Sequence, residues 1–483
     1  MSSLQTNLFR IFLDETLSPF DSAACLTAEG EILDIKYETL ADIGTLGQGA
    51  QTVMKYFPIQ MGDVVILNDP YSGGSVLSTM TLITPLILGH NQVPDLYLAI
   101  RTGFRPQLVI SKTLDEEGLR IPPTPLIQGR QINQAILDAM ASHPLCPEGL
   151  KERLEIVLKK LWARIDAFND LVTKHPGLCT KAAVKSYLKN SRQVLLDILS
   201  ELPSGEAKTE TKLESGEVIK LRIELSHEAV QFDFAGTTNS KRLCLTDAST
   251  FGACFGAVSA YLQKPLPLNS GTFSLFHVTS PLGCLLNAKY PSPTYKGMTE
   301  GTSVVASTVI QTLSEIFHTT KVSVYTPAPT QISLEFNSGK RFFDSLPGGV
   351  GASANADGAD AIHLWVRNRL QNSVQEVETR FPLLIHHIGL RKGSGGKGQH
   401  KGGCGLMKEY EILEPAKLRW SIQHRKTPLK GMKGAQAGEA AEIFIKRQNK
   451  EKEQITLDEG EVQLNPGDHL IVASAGGGGW GKG

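Results

Sequence analysis

Three short stretches carry side chains that can do chemistry. In EEGLRIPP (116–123), Glu117 and Arg120 set a carboxylate and a guanidinium three residues apart. Arginine grips carboxylates through paired hydrogen bonds, so the two can orient an acidic substrate, or they can close a salt bridge that serves only the fold. In NADGADAIH (355–363), Asp357 precedes His363. A histidine titrates near neutrality and can act as general acid or base; the plainer outcome is a structural imidazole. In NDPYSGG (68–74), Asp69 and Tyr71 sit in a turn of Asn, Asp, Pro and Gly that ends the apolar run MGDVVIL (61–67).

The other polar groups promise less. His386-His387 and His400 have no carboxylate at ligand spacing, so they are expected to be structural or exposed. The glycine loops 393–405 and 476–481 can cradle an anion on bare amides. With no helix start and no Lys-Ser/Thr beside them, tight turns are the better expectation. There is no G-x-S-x-G elbow and no cysteine placed beside a histidine. The seven cysteines form no C-x-x-C pair and read as scattered buried thiols.

These residues need scaffolds, and the chain is long enough to supply several. It has 483 residues, 49 basic and 49 acidic, so the net charge is zero and no basic track for nucleic acid is present. No basic leader precedes an apolar run, and no stretch reaches ~18 apolar residues, so a soluble, cytoplasmic protein is expected. Residues 1–146 read as a β-containing region with turns, including a hairpin around Glu29-Gly30 and an extended, proline-rich 118–130. Residues 147–203 read as a helical hairpin, since Leu150, Leu154, Leu158, Leu161 and Ile165 recur at helical spacing and Pro176-Gly177 separates the two halves. The polar stretch 203–217 reads as a linker or long turn. Within a central mixed region, 204–375, Ile219, Leu221, Ile223 and Leu225 alternate as one arm of an antiparallel hairpin, and helices fall near 247–263 and 301–317. Residues 376–483 form a β-rich segment with glycine loops. The class is α+β.

Seven stretches in order resemble the hydantoinase B/5-oxoprolinase family, the B-type subunit. They are ILNDPYSGG (66–74), EEGLRIPP, FDFAGT (232–237), PGGVGASANADGADAIH (347–363), VETRFPLLI (377–385), RKGSGGKGQHKGGCGLMKEYEILEP (391–415) and SAGGGGWGKG (474–483). The resemblance implies ATP-dependent ring opening of a cyclic amide, such as a hydantoin or 5-oxoproline, beside an A-type ATPase subunit. The chain has no G-x-x-x-x-G-K-[ST] loop, so ATP and Mg²⁺ are expected on that partner, in a hetero- or homo-oligomer. Glu117, Arg120, Asp69 and His363 become the candidate catalytic residues. Tyr71, Arg101 and Asp357 become candidate substrate contacts.

The departures from the family are as informative. Family members carry H-x-P-x-H-x-G-S, then N-D-P-Y-x-G-G-T-H-x-P-D, then R-x-H-H-x-D, a natural shell for Zn or Mn. Here the first reads ETLADIGT, with Glu38 and Asp42 at the histidines. Val76 and Thr79 replace the second pair, and Gly103, Phe104 and Pro106 the third. No tightly bound metal is therefore expected. Glu38, Asp42 and Asp69 remain as oxygen ligands for a hard cation. The family's opening helix has no evident counterpart before Phe20. Two alternatives stay open: a catalytically silent partner of the A-type subunit, and a ketone-carboxylase subunit.

Overall fold

In the computed structural model, the described residues are 3–86, 94–104, 110–174, 180–318, 328–363, 371–448 and 451–483. The turn expected around His90, Pro106 and Cys179 lie outside them. The chain opens with a helix, α1 (Ser3–Leu17), so the expectation of no helix before Phe20 is corrected. Its Phe9, Phe12, Leu13 and Leu17 are buried. That spacing marks one helical face, interrupted in sequence by Asp14, Glu15 and Thr16.

β1 (Ser22–Thr27) and β2 (Ile32–Lys36) form the expected hairpin. α2 (Leu40–Tyr56) follows, where the sequence suggested strands and turns. Then come β3 (Val64–Leu67), β4 (Thr79–Leu86), β5 (Leu96–Gly103), β6 (Thr124–Gln128) and β7 (Gln131–Ile132). These strands form one antiparallel sheet in the order β2-β1-β5-β4-β3-β6-β7. α3 (Gln134–Ala141), α4 (Leu150–Lys174) and α5 (Lys181–Ser200) come next. One face of the sheet packs on α1, α4 and the first half of α5, through residues such as Phe12, Leu161 and Leu188. The other face packs on α2 through Leu46, Ala50 and Val53.

Half-buried Asp34 on β2 supplies a pH test of this part of the fold. Loss of water drives its carboxyl up from 3.8 to about 7, with Asp14 adding to the rise, while the Ile35 amide and Arg10 oppose it. Unfolded, the group ionises near 3.8; folded, it keeps its proton to about 7, so the native state binds the extra proton between those values. Stability is therefore lost as pH rises through that window. Asp34→Asn keeps the acceptor for the Ile35 amide (2.9 Å) without the charge. It is expected to gain on the order of 2–4 kcal/mol over the wild type at pH 8 and nothing near pH 4. Urea unfolding at the two pH values measures the difference.

β8 (Gly205–Lys212) overturns the linker expected at 203–217. It pairs with β9 (Val218–Leu225) along its whole length. As an edge strand with alternate residues in solvent, it has no apolar run to announce it. β10 (Val230–Asp233) completes the expected hairpin, and Asp233 caps its end by accepting from the Ala235 amide at 2.9 Å. α6 (Asp247–Leu262), α7 (Ser270–Phe273), parallel β11 (Phe276–Thr279) and α8 (Thr302–Ile316) finish this unit. Its core takes in Leu195 and Leu199 from the far end of α5, and Leu40 and Ile43 from α2. The α2–α6 seam is close enough that a Cβ on Gly44 would lie 2.0 Å from the Ala248 carbonyl, and one on Gly252 2.0 Å from the Leu40 carbonyl.

The C-terminal part is a two-sheet sandwich. β12 (Thr330–Phe336) and β13 (Arg341–Leu346) precede α9 (Val374–Arg380). β14 (Leu383–Arg391), β15 (Gly405–Ile412), β16 (Ala416–Ser421), β17 (Glu442–Lys446), β18 (Lys452–Gln454), β19 (Glu459–Leu464) and β20 (His469–Ala473) follow. The sheets run β13-β12-β16-β19 and β14-β15-β20-β17-β18 and share one core. Inside it, Lys408 bonds Asp344 at 2.7 Å and the Tyr410 hydroxyl donates to the same carboxylate at 2.7 Å.

The glycine loops are neither simple turns nor open cradles. Gly403 N–H donates to the Val350 carbonyl, Gly477 N–H to Gly403, Gly396 N–H to Gly477 and Gly402 N–H to Gly396. These amides are spent on a backbone lattice, so they are not available to an anion. Among the described residues, no helix is long and apolar enough to cross a membrane.

Candidate functional site

Four sequence candidates meet on the turns beyond β3 and before β6. Asp69 accepts from Tyr71 N–H at 3.2 Å and from the Ser72 hydroxyl at 2.9 Å, closing the turn. It also holds Arg120 at 3.0 Å. The Arg120 guanidinium lies 4.3 Å from the Tyr290 ring centre, and its Nε is buried with no protein acceptor. The Tyr71 hydroxyl donates to the Ser292 carbonyl at 2.8 Å. Glu117 and Arg120 do not pair with each other, which corrects that alternative. Glu117 is buried and accepts from Tyr295 N–H (2.9 Å), Thr294 N–H (3.2 Å) and the Ser111 hydroxyl (2.8 Å). Burial pushes its carboxyl up to about 7 against those donors.

The other candidates stand elsewhere. Arg101 is enclosed, bonded to Asp42 at 2.5 Å, Thr45 at 2.7 Å, Thr81 at 2.9 Å and the Gly73 carbonyl at 3.1 Å. The structure thus corrects it from a substrate contact to the support behind the 68–74 turn. His363 Nε2 lies 3.0 Å from the Ser345 carbonyl and 2.9 Å from Gln371, above the Lys408–Asp344 pair. Exposed Asp357 accepts from Lys401 N–H at 2.8 Å and lies 3.5 Å from His400, a carboxylate neighbour that linear spacing hid.

The family's metal positions do not fit a metal. Val76 is fully buried against Tyr295 and Phe343, with Ile110 and Met298 beside them. Phe104 packs on the first core, and the Thr79 hydroxyl donates to the Val76 carbonyl at 2.9 Å. Two of the three hard-cation candidates, Asp42 and Asp69, are already committed. Asp42 takes Arg101 on one oxygen, and Ser22, Thr39 N–H and the Thr39 hydroxyl on the other. Asp69 is spent as described above.

Sequence reasoning missed a cleft of about 860 Å³ between β8, α8 and the 423–432 loop. The loop that holds Glu117 leads straight into it, because Lys296 follows Tyr295. At its base Glu300, wholly buried on a π-helical turn (Gly297–Gly301), accepts from Ser421 (3.0 Å), Gln423 (3.0 Å) and Gln331 (3.2 Å). Lys296 lies 3.7 Å from it and also pairs with Glu459, which binds Arg242. His424 lines the cleft with a left-handed backbone, φ 60°. Burial lowers its pKa while Glu214 and the Thr427 backbone work in the opposite direction, so the imidazole is neutral at neutral pH. Lys426 and Lys430 stand at the rim. Cations around a buried acid and a neutral imidazole suit an anionic substrate and proton transfer. Only the scattered charges of 422–430 signalled this in sequence.

The fold is shared with an ATP-dependent caprolactamase from Pseudomonas jessenii (TM-score 0.88, 17% identity, covering 100% of this chain and 91% of that one). Acetone carboxylase is more distant (TM-score 0.76, 12% identity, 99% and 74% covered). Residues 20–483 match the hydantoinase B/oxoprolinase family, and the chain belongs to it, as its motifs indicated. It is 27% identical to the 5-oxoprolinase PfmaA of Pestalotiopsis fici over 88% of this chain, spanning 35% of that protein's length. It is 25% identical to 5-oxoprolinase 1 of Arabidopsis thaliana, with 95% of this chain and 39% of that one covered. The chain thus spans little more than a third of these two relatives.

Proposed function

We propose that the chain is the hydrolytic subunit of an ATP-dependent cyclic amidase, opening a hydantoin or 5-oxoproline-like ring after an A-type partner has phosphorylated it. ATP and Mg²⁺ belong to that partner. The observation that carries this reading is the cleft, in which cationic Lys296 and Lys426 flank buried Glu300 and neutral His424. His424 takes one proton from water as the oxygen adds to the activated ring carbon and passes it to the ring nitrogen. The proton of the adduct's hydroxyl follows to the same nitrogen as the C–N bond breaks, leaving an acyl phosphate and a free amine. A second water then releases phosphate from the acyl phosphate. Lys296 offsets the negative charge gathered on the intermediate. Arg120, bound to Asp69, stands outside the cleft's lining.

The test is co-purification with an A-type subunit and an ATP-dependent ring-opening assay on 5-oxoproline and hydantoin. His424→Gln is expected to lower turnover about 10²–10⁴-fold, with complex formation and melting temperature retained. Lys296→Met is expected to lower turnover similarly but also the melting temperature, because it leaves buried Glu300, and Glu459, without that cation. Unchanged turnover in both variants would remove the cleft from the chemistry. ATP hydrolysis by the isolated chain would overturn the division of labour. The apolar filling around Val76 favours a second reading, a silent partner that supports the A-type subunit. A stable complex that hydrolyses ATP but opens neither ring would select it.

A further inference from the structure

The histidines that lack a carboxylate at sequence spacing acquire one across the sheet. His386 Nε2 lies 2.6 Å from Glu411 Oε2. Glu411 is the direct cross-strand partner of His469, and the two imidazole centres are 5.1 Å apart. One ligand atom from each of His386, Glu411 and His469 falls within 4.8 Å of the others. We propose that these three residues bind a divalent first-row transition metal, with zinc as the type, on the outer face of the β14-β15-β20 sheet.

Three features of the geometry support this. First, the ligands come from three adjacent hydrogen-bonded strands, so their spacing is fixed by backbone pairing rather than by flexible loops. The register of β14 against β15 shifts between Ile385 and His387, and this bulge turns His386 toward Glu411. Second, two imidazoles and one carboxylate form the three-ligand set that zinc accepts with water in its fourth position. His386 is exposed and the other two are half-buried, so that position opens to solvent. Third, His469 already has an orienting neighbour. Its Nδ1 lies 2.8 Å from Glu409 Oε1. A proton donated there leaves Nε2 as the free lone pair, an arrangement that raises the ligand's basicity and fixes its ring. Glu409 and Glu411 together supply two negative charges to meet a dication. The site owes nothing to the cleft or to the family positions around Val76.

The test uses full-length, tag-free protein stripped with chelator and titrated with Zn²⁺, then with Co²⁺ as a spectroscopic stand-in. One equivalent is expected to bind, with a rise in melting temperature and the visible absorption of a His/carboxylate cobalt centre. His386→Asn with His469→Asn is expected to lose the equivalent, the absorption and the thermal shift together. Both side chains lie on the solvent face, so circular dichroism should be unchanged. Glu409→Gln is expected to keep the stoichiometry and weaken affinity about 10–100-fold. Failure of the wild-type protein to take up one equivalent would overturn the proposal. So would uptake that survives in the double variant.

Discussion

Arg101→Ala is expected to lower folding stability by about 3–5 kcal/mol, because it strands a buried carboxylate. The side chains of Arg101 and Asp42 are 3% and 4% exposed, so neither ion is screened by water. The guanidinium satisfies four acceptors at once: the Asp42 carboxylate, the Thr45 and Thr81 hydroxyls and the Gly73 carbonyl. Those groups belong to α2, β4 and the 68–74 turn, so one deletion loosens three elements. Arg101→Lys is expected to rescue little, since an ammonium lacks the planar fork that reaches several acceptors together. Adding Asp42→Asn to Arg101→Ala should recover part of the loss by removing the orphaned charge. Urea unfolding of the three variants measures this. A single-variant loss under about 1 kcal/mol would place Arg101 among ordinary surface changes and refute the account.

Gly477→Ala is expected to be at least as damaging, for a purely steric reason. Its new Cβ would fall 2.0 Å from the Val350 carbonyl oxygen, and that oxygen is held by Gly403 N–H at 2.8 Å. Relief requires moving backbone that is bonded on both sides, so the lattice must open. A loss of soluble protein, or a large drop in melting temperature, is the expected result. Gly339→Ala is the control. There φ is +81° but nothing lies within 4 Å of the added carbon, so only the conformational cost of about 1 kcal/mol applies. Equal behaviour of the two variants would show that the lattice is not what these glycines serve.

Legibility in the sequence followed how local each signal was. α4, α5 and the β9–β10 hairpin were readable because their apolar residues repeat at the period of the element. α2 was not, because Gly44, Gly47 and Gly49 break its helical pattern; the close approaches they allow, to α6, to the Ile32 side chain and to the Gly73 carbonyl, exist only once the partners are placed. β8 hid because it has a polar outer face and only Ala207 apolar beside Thr209 and Thr211 on its inner one. The Asp69 of NDPYSGG and the Arg120 of EEGLRIPP stand 51 residues apart in the chain, so their contact could not be read before the fold. Arg101 was misjudged because burial cannot be read from a residue type that is usually exposed. The His386–Glu411–His469 group was invisible because its members sit on strands far apart in the chain, and only strand register brings them together. The cleft was nearly so, because its walls come from β8, α8 and the 423–432 loop, which only the tertiary fold places side by side.

The two-sided burial of α2 has a consequence for synthesis on the ribosome. Its Leu46–Val53 face can dock on β1 and β5 early, but Leu40 and Ile43 belong to a core built with α6, some two hundred residues later. At translation rates of about 5–20 residues per second, that apolar patch waits roughly 10–40 s for its cover. During that interval the nascent chain offers a binding site for holdase chaperones. Slowing elongation between residues 57 and 246 should lengthen the exposure and lower the yield of native protein.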